Sequence, residues 1–391
     1  MIELSGLRRY VAPSGRARLE VDIKFLGMEV TAPAETMYFE IDKNFGGMLV
    51  DDTYDPFVLP ALYQAMFFHT DLQIRGDVSK KFYKNLTWYA EKILCDFSGD
   101  LTPAKIFVDG FAPTIATGTL IGAGISCGVD SLSTLYDRFI CEDDPDYRIN
   151  ALFFFNCGTN GDFTIPMSQN VAQVRCQRSF SLASELGLPL CPVDTNLHQF
   201  KREEFGDTMI FLAMYSCVLA LQNVIRRYYL ANACSYDEIK ANGVTLKNHD
   251  LASFCESYFV PLIQTERTEL IIDGCQYRRV DKIRKLADWD IAQKYLNVCG
   301  KYSPDLSNCG GCGKCLRTLL PLEILGKLDD FANVFDLENY RKASLNYKAN
   351  CVIGADADVF YRENVDFAAE NNFPMPVRHD CYKLGQQALI F

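Results

Sequence analysis

The sequence predicts an α/β protein with a doubly wound parallel sheet and an extra N-terminal α+β domain. From residue 117 onward, apolar stretches of strand length alternate with stretches of helix length, as in parallel sheets covered by helices. The first part of the chain lacks this alternation, because strand patterns come first and helical patterns follow. We therefore expect an accessory domain at 1–112, a sheet domain at 113–325 and a helical extension at 326–391.

Within the accessory domain, alternating apolar and polar residues predict strands at Leu19–Phe25 and Thr36–Ile41. Helical patterns follow at Pro60–Phe68 and Lys80–Leu94, and a short strand at Lys105–Asp109 leads to the boundary. No catalytic constellation is visible in this region. We interpret it as a scaffold or partner-binding domain.

In the sheet domain, apolar runs predict three strands and two helices after the first strand and its loop. The strands are expected at 148–156, 190–195 and 228–232, and the helices at 169–186 and 209–227. Ligands of such sheets bind beyond the carboxyl ends of the strands. That rule predicts one crevice surrounded by residues 126–131, 156–159 and 194–196.

The first strand of this domain runs into a tight loop, Ser126-Cys-Gly-Val-Asp-Ser131, which opens a helical pattern. Backbone N–H groups and the positive end of a helix would face an anion there, so a phosphate is the natural occupant. Ser126 and Ser131 add hydroxyl donors, and Asp130 would orient the loop or hold a magnesium ion that bridges phosphates. An ordinary helix capped by Asp130 or Ser131 is the alternative.

Four cysteines lie close together in a glycine-rich stretch: Cys299, Cys309, Cys312 and Cys315. Thiolates on such a knuckle can converge on one metal ion, and four sulfurs suit tetrahedral structural zinc. An iron–sulfur cluster and unrelated core thiols are the alternatives.

The loop and the knuckle together carry a family resemblance. Residues Ser126–Ser131 resemble the Ser-Gly-Gly-x-Asp-Ser signature of the PP-loop ATP pyrophosphatases, with Cys127 where that family usually has glycine. The pairing of this loop with a downstream cysteine knuckle is similar to the 7-cyano-7-deazaguanine synthases, the QueC group. The match covers roughly residues 115–320.

The resemblance implies an adenine nucleotide alpha hydrolase-like fold and ATP chemistry. A substrate carboxylate would attack the α-phosphorus of ATP, pyrophosphate would leave, and a nitrogen nucleophile would displace AMP. In the QueC group the substrate is 7-carboxy-7-deazaguanine and the nucleophile is ammonia. Asp130 and Ser131 would be catalytic, and Asp130 would hold the magnesium ion. The nucleotide would be bound by Ser126, Cys127, Gly128, Asp130, Ser131 and Asn156, and by Arg279 or Lys282 from a run of basic residues. The alternative for this basic run is a helix face exposed to solvent.

Two departures from the QueC group leave the acceptor open. The chain reads Asn232-Ala-Cys-Ser-Tyr-Asp237 where the group has an Asn-Glu-Thr-Asp-type segment, and the N-terminal domain is an addition. Divergent QueC-like proteins occur in bacterial antiviral systems, so an amine on a partner protein could replace ammonia. Sulfur transfer by Cys127 or Cys157 is another interpretation, with the helix end lowering the pKa of Cys127. A nucleotide-binding scaffold without turnover is the third.

Composition limits the class of partner. The formal net charge of −11 disfavours tRNA, because phosphate neutralisation supplies most nucleic-acid affinity. No apolar run approaches the roughly 18 residues of a membrane span. The sixteen cysteines are mostly scattered and no secretory segment is visible, which indicates a reducing, cytoplasmic location.

Overall fold

One ten-stranded sheet organises the chain in the computed structural model, which describes residues 1–115, 118–161, 165–205, 208–242, 251–301 and 307–377. The strands are β1 Ile2–Val11, β2 Ala17–Phe25, β3 Thr36–Ile41, β4 Leu72–Val78, β5 Ile106–Phe111, β6 Leu120–Gly124, β7 Ala151–Asn156, β8 Leu190–Thr195, β9 Ile225–Ala231 and β10 Glu269–Asp273.

Thirteen α-helices lie in the described residues. They are α1 Asp55–Phe67, α2 Lys80–Asn85, α3 Glu91–Phe97, α4 Val129–Leu135, α5 Pro166–Glu185, α6 Thr208–Ala220, α7 Tyr236–Asn242, α8 Leu251–Phe259, α9 Arg279–Leu286, α10 Asp290–Tyr295, α11 Gly313–Ile324, α12 Leu337–Gly354 and α13 Val359–Glu370. A π-helical turn at Leu86–Ala90 joins α2 to α3, and another at Tyr136–Ile140 prolongs α4. Among the described helices, none combines the length and apolar character that a membrane span requires.

The second half of the sheet is parallel and has the strand order β8-β7-β6-β9-β10. The chain first moves outward from β6 through β7 to β8, and then returns to the other side of β6 with β9. This reversal places a switch point between β6 and β9, where the loops that follow these two strands separate. A ligand crevice is expected at such a point.

The N-terminal strands extend the same sheet. β3 pairs antiparallel with β8 through Phe39–Thr195 and Glu40–Asp194, and the order continues β2-β1-β4-β5. Of the nine strand pairings, the three that involve β2 or β3 are antiparallel and the others are parallel. The predicted accessory domain is therefore joined to the rest through backbone hydrogen bonds, while the division at 112 and 325 stays a prediction.

Helices cover both faces of the sheet, as a doubly wound α/β fold requires. Side chains of β7 alternate between two cores, with Phe153 and Phe155 in one and Leu152 and Phe154 in the other. The first core contains residues of α1 and α6, and the second contains residues of α4, α9, α11 and α12. The apolar run at 151–155 therefore has both of its sides buried.

Most predicted elements lie near where the sequence placed them, but α1 begins at Asp55 rather than Pro60, and the end of α6 was misplaced. The apolar run from Met209 was expected to stay helical to Arg227, but α6 ends at Ala220 and Ile225 already begins β9. Both α6 and β9 are buried, so the run carries no amphipathic signal to locate the break. The expected C-terminal extension is helical through α13, and residues 378–391 of it lie outside the described residues.

Candidate functional site

A cleft of about 470 Å³ lies at the switch point between β6 and β9. Its walls include the loop from Ser126 to Ser131, the carboxyl ends of β7 and β9, and residues of α5, α9 and α11. Ligand pockets commonly have volumes of about 300–1,000 Å³, so the cleft can hold a nucleotide-sized molecule. A cleft is thus present beside the predicted loop, but among the residues that line it none belongs to the predicted segment 194–196.

Hydrogen bonds fix the loop from Ser126 to Ser131. The Ser126 and Ser131 hydroxyls lie 3.1 Å apart, and the Gly128 N–H donates to Ser126 Oγ at 3.2 Å. Ser131 donates to the Gly128 carbonyl at 3.2 Å, and the Asn297 N–H donates to the Cys127 carbonyl at 2.8 Å. Gly128, with extended backbone, is the residue that precedes α4. The predicted strand, loop and helix order is observed.

Cys127 occupies a backbone conformation that favours glycine. Its φ is +59°, in the left-handed region where a Cβ is strained. A glycine at this position would adopt that conformation without strain. The thiol is buried, and burial raises its pKa to about 12, although Arg178 and Ser179 partly oppose the shift. The expectation that the helix end lowers the pKa of Cys127 is therefore wrong, because desolvation dominates.

Asp130 forms an ion-pair cluster with two cations from α9. Its oxygens accept from Arg279 Nη1 at 2.8 Å and from Lys282 Nζ at 3.1 Å. Burial opposes ionisation of Asp130, but the charges of Arg279 and Lys282 outweigh it and lower the pKa to about 2. A magnesium ion at Asp130 does not fit this arrangement, because two cations already hold both carboxylate oxygens.

The two cations of this cluster differ in their access to the cleft. Lys282 is fully buried, and its Nζ also donates to the Asn232 carbonyl at 2.6 Å. It therefore holds Asp130 and the end of β9 together in the interior of the protein. Arg279 lines the cleft although its side chain is only 7% exposed. Its Nε is buried and has no hydrogen-bond partner among the described residues. Arg279 therefore has a donor available for an anion in the cleft.

Three further cations line the cleft, and the sequence did not indicate them: Arg175, Lys314 and Arg317. The Arg317 Nε is also buried and unpartnered within the described chain, and its guanidinium lies 4.3 Å from the Phe360 ring centroid. Burial, together with the nearby charge of Arg279, lowers the pKa of Arg317. The three-residue spacing of Lys314 and Arg317, at the end of the cysteine knuckle, could have predicted that both lie on one helix face.

The four cysteines converge as a metal site. The Sγ atoms of Cys299, Cys309, Cys312 and Cys315 all lie within 4.8 Å of one another. Cys299 and Cys312 are 3.8 Å apart and Cys312 and Cys315 are 3.4 Å apart, close to the roughly 3.8 Å that a tetrahedral centre with bonds of about 2.3 Å would give. Four sulfur donors in this geometry could hold zinc.

The knuckle is fastened between the cleft and the C-terminal helices. Asn308 is fully buried; its Oδ1 accepts from the Val298 and Cys299 N–H groups, and its Nδ2 donates to the Leu296 and Val334 carbonyls. Gly310 has φ +68°, and a Cβ there would lie 2.0 Å from the Asp336 carbonyl oxygen. Because α11 starts within the knuckle and Cys299 lines the cleft, the knuckle positions Lys314 and Arg317.

The wall near β7 and β9 is aromatic. Phe155 and Tyr228 are stacked with centroids 5.8 Å apart and an interplanar angle of 20°. Glu256 also lines this wall, where it accepts from Tyr215 at 2.6 Å and from Asn232 at 2.7 Å. Phe155 is 9% and Tyr228 1% exposed, so the two rings cover each other and form an apolar wall of the cleft.

Some of the residues that follow β7 and β8, which were predicted to surround the crevice, instead form hydrogen bonds that connect strands. Asn156 donates to Asp194 at 2.7 Å, while its neighbours Phe155, Thr159 and Asn160 line the cleft. Thr195 donates to the Tyr38 carbonyl at 2.6 Å, which attaches β8 to β3. The segment at 194–196 thus connects the N-terminal strands to the site.

Comparisons with family models, with curated proteins and with solved structures found no match, so the PP-loop resemblance rests on the loop and the cysteine knuckle alone.

Proposed function

We propose that this protein is an ATP-dependent ligase of the PP-loop type. It transfers AMP from ATP to a substrate carboxylate, releases pyrophosphate, and then passes the activated acyl group to a nitrogen nucleophile. The substrate is 7-carboxy-7-deazaguanine or a related 7-deazapurine carboxylate. The nucleophile is ammonia or an amine on a partner protein.

One observation carries the proposal: the buried, unpartnered Nε atoms of Arg279 and Arg317 at a cleft beside the loop. An unsatisfied buried guanidinium N–H costs free energy unless a ligand accepts from it. Arg175, Arg279, Lys314 and Arg317 face the cleft, against the carboxylates of Asp130 and Glu256. This positive excess, in a chain of net charge −11, suits a highly charged anion such as a triphosphate.

Each element of the site has a role in the proposal. The loop N–H groups and the arginines hold the phosphates and stabilise the charge that develops on pyrophosphate as it leaves. Asp130 orients Arg279, and the Ser131 hydroxyl, which donates to the Gly128 carbonyl, holds the loop at the start of α4. Phe155 and Tyr228 would form the apolar wall beside a bound purine-like ring. Zinc bound by the four cysteines would supply a closed structural centre that holds α11.

The thiolation alternative has less support. It needs a thiolate in the cleft, and burial holds the pKa of Cys127 at about 12, far above that of a reactive cysteine. A nucleotide-binding scaffold would have the same cleft but would not cleave ATP. Product analysis separates these candidates.

The decisive experiment incubates the protein with ATP, 7-carboxy-7-deazaguanine and ammonium, and then analyses the nucleotide and deazapurine products. AMP with pyrophosphate, and an amide or nitrile product, are expected. ADP with orthophosphate would contradict the proposal, and a thiolated product would favour the alternative. Absence of any ATP cleavage would favour the scaffold.

A pair of variants assigns the site. Arg279→Gln should raise the dissociation constant for ATP roughly 10- to 100-fold, the range for a lost charge-assisted hydrogen bond. Arg75→Gln is the matched control, since Arg75 is 54% exposed and pairs with Glu3 in the N-terminal part of the sheet. Equal effects of the two substitutions would argue against an anion site at Arg279.

A further inference from the structure

Resting on the ligase function proposed above, we propose that Arg175, oriented by Asn160, forms a second anion subsite, which binds the carboxylate of the substrate. The phosphates of ATP would be bound separately, by the loop and by Arg279 and Arg317. The N-terminal part of the chain then has a defined role, because it fixes the orientation of this second subsite.

Arg175 is suited to a carboxylate. It lies on α5 and lines the cleft, and its Nη1 donates to Asn160 Oδ1 at 2.9 Å. No carboxylate among the described residues pairs with Arg175. A guanidinium has five N–H donors, so most remain for a ligand, and a planar carboxylate can accept two of them at once.

Arg175 reaches the cleft from a different direction than the phosphate-binding arginines. α5 connects β7 to β8, on one side of the loop strand β6, whereas α9 follows β10 on the opposite side. Arg279 donates to Asp130, whereas Arg175 donates to Asn160. Two anionic groups can therefore bind on either side of the loop, as the transfer of AMP between them requires.

A relay of polar side chains sets the orientation of Asn160. Its Nδ2 donates to Asn156 Oδ1 at 3.2 Å, and Asn156 donates in turn to Asp194 at 2.7 Å. Asp194 pairs with Arg16, which lies between β1 and β2 and also donates to the Glu40 carbonyl at 3.1 Å. Because the Asn160 amide nitrogen is committed to this relay, its oxygen faces Arg175. Arg16 and Asp194 are thus positioning residues, and Arg175 is the ligand-binding one.

The test measures binding of two probes separately by calorimetry, the non-hydrolysable analogue AMPCPP and 7-carboxy-7-deazaguanine. Arg175→Gln should weaken the carboxylate probe roughly 10- to 100-fold and change AMPCPP less than about twofold. Arg279→Gln should show the opposite pattern, and Arg75→Gln should change neither. Arg175→Lys should recover part of the carboxylate affinity, because it restores the charge without the planar fork.

Steady-state kinetics add a readout that a purely structural role would not move. Arg16→Gln should raise KM for the carboxylate with KM for ATP unchanged, since it perturbs only the relay. If Arg175→Gln weakens both probes equally, or neither, the second subsite is wrong while the ligase proposal stands. If the unmodified protein binds AMPCPP but not the carboxylate, the subsite lacks the ligand named here. If it binds neither probe, the ligase function itself fails and this inference fails with it.

Discussion

The Asp130→Asn substitution tests the ion-pair cluster, because it removes the only carboxylate that the described residues offer to the buried Lys282. Lys282 is fully buried, whereas Asp130 is 22% exposed. Removing one partner of a buried ion pair costs about 3–5 kcal/mol, and the partial exposure of Asp130 reduces this to about 2–3 kcal/mol. Lowering the pKa of Asp130 from 3.8 to about 2 corresponds to a similar magnitude, roughly 2–3 kcal/mol.

Urea unfolding at neutral pH measures this loss directly. The double variant with Lys282→Met should regain most of it, because a volume-matched apolar side chain removes the uncompensated charge. The pH dependence has a defined sign. The folded-state pKa of Asp130 is lowered, so its stabilisation is complete above about pH 4 and is lost as the pH falls towards about 2. The difference between the two proteins should shrink over that range.

Equal stability of the unmodified and Asp130→Asn proteins at pH 7 would refute the reasoning. So would a double variant that is as unstable as the single one. The pairing with the buried Lys282 is what gives Asp130 a role in the stability of the fold.

Three further predictions concern the loop and the knuckle. Cys127→Gly should change the free energy of unfolding by less than about 1 kcal/mol, because relief of about 1–2 kcal/mol of left-handed strain offsets the lost burial and the added chain entropy. The variant should also retain ATP cleavage. Loss of turnover in a folded variant would indicate a reactive thiol. The purified protein should carry about one zinc by elemental analysis, lost in Cys312→Ser/Cys315→Ser, and chelation should lower the melting temperature; metal retained by that variant would contradict the assignment. Gly310→Ala should reduce zinc content, because its Cβ would overlap the Asp336 carbonyl, and a normal zinc content would show that the knuckle can shift.

Local sequence patterns predicted β6 to β9, the helix after the loop and α5, but not α11, which carries Lys314 and Arg317. Thr36–Ile41 and Leu190–Thr195 match β3 and β8 residue for residue. The end of α6 was missed, because buried helices and buried strands share one apolar composition. Continuity of the sheet through β3 and β8 was also missed. It depends on an antiparallel pairing between segments about 155 residues apart, which no local pattern reports.

By itself, the sequence determined the loop at 126–131 and the four cysteines, because short-range spacing limits where these backbone groups and thiols can lie. The tertiary structure decided which charges serve the site. Arg279 and Lys282 reach Asp130 across 149 and 152 residues, and burial then divides their roles: Lys282 compensates charge behind the cleft, while Arg279 keeps a donor facing it. Burial and pairing are properties of the packed chain. The sequence of this basic run is equally compatible with a solvent-exposed helix face, and only the packing of α9 against the loop decides between the two.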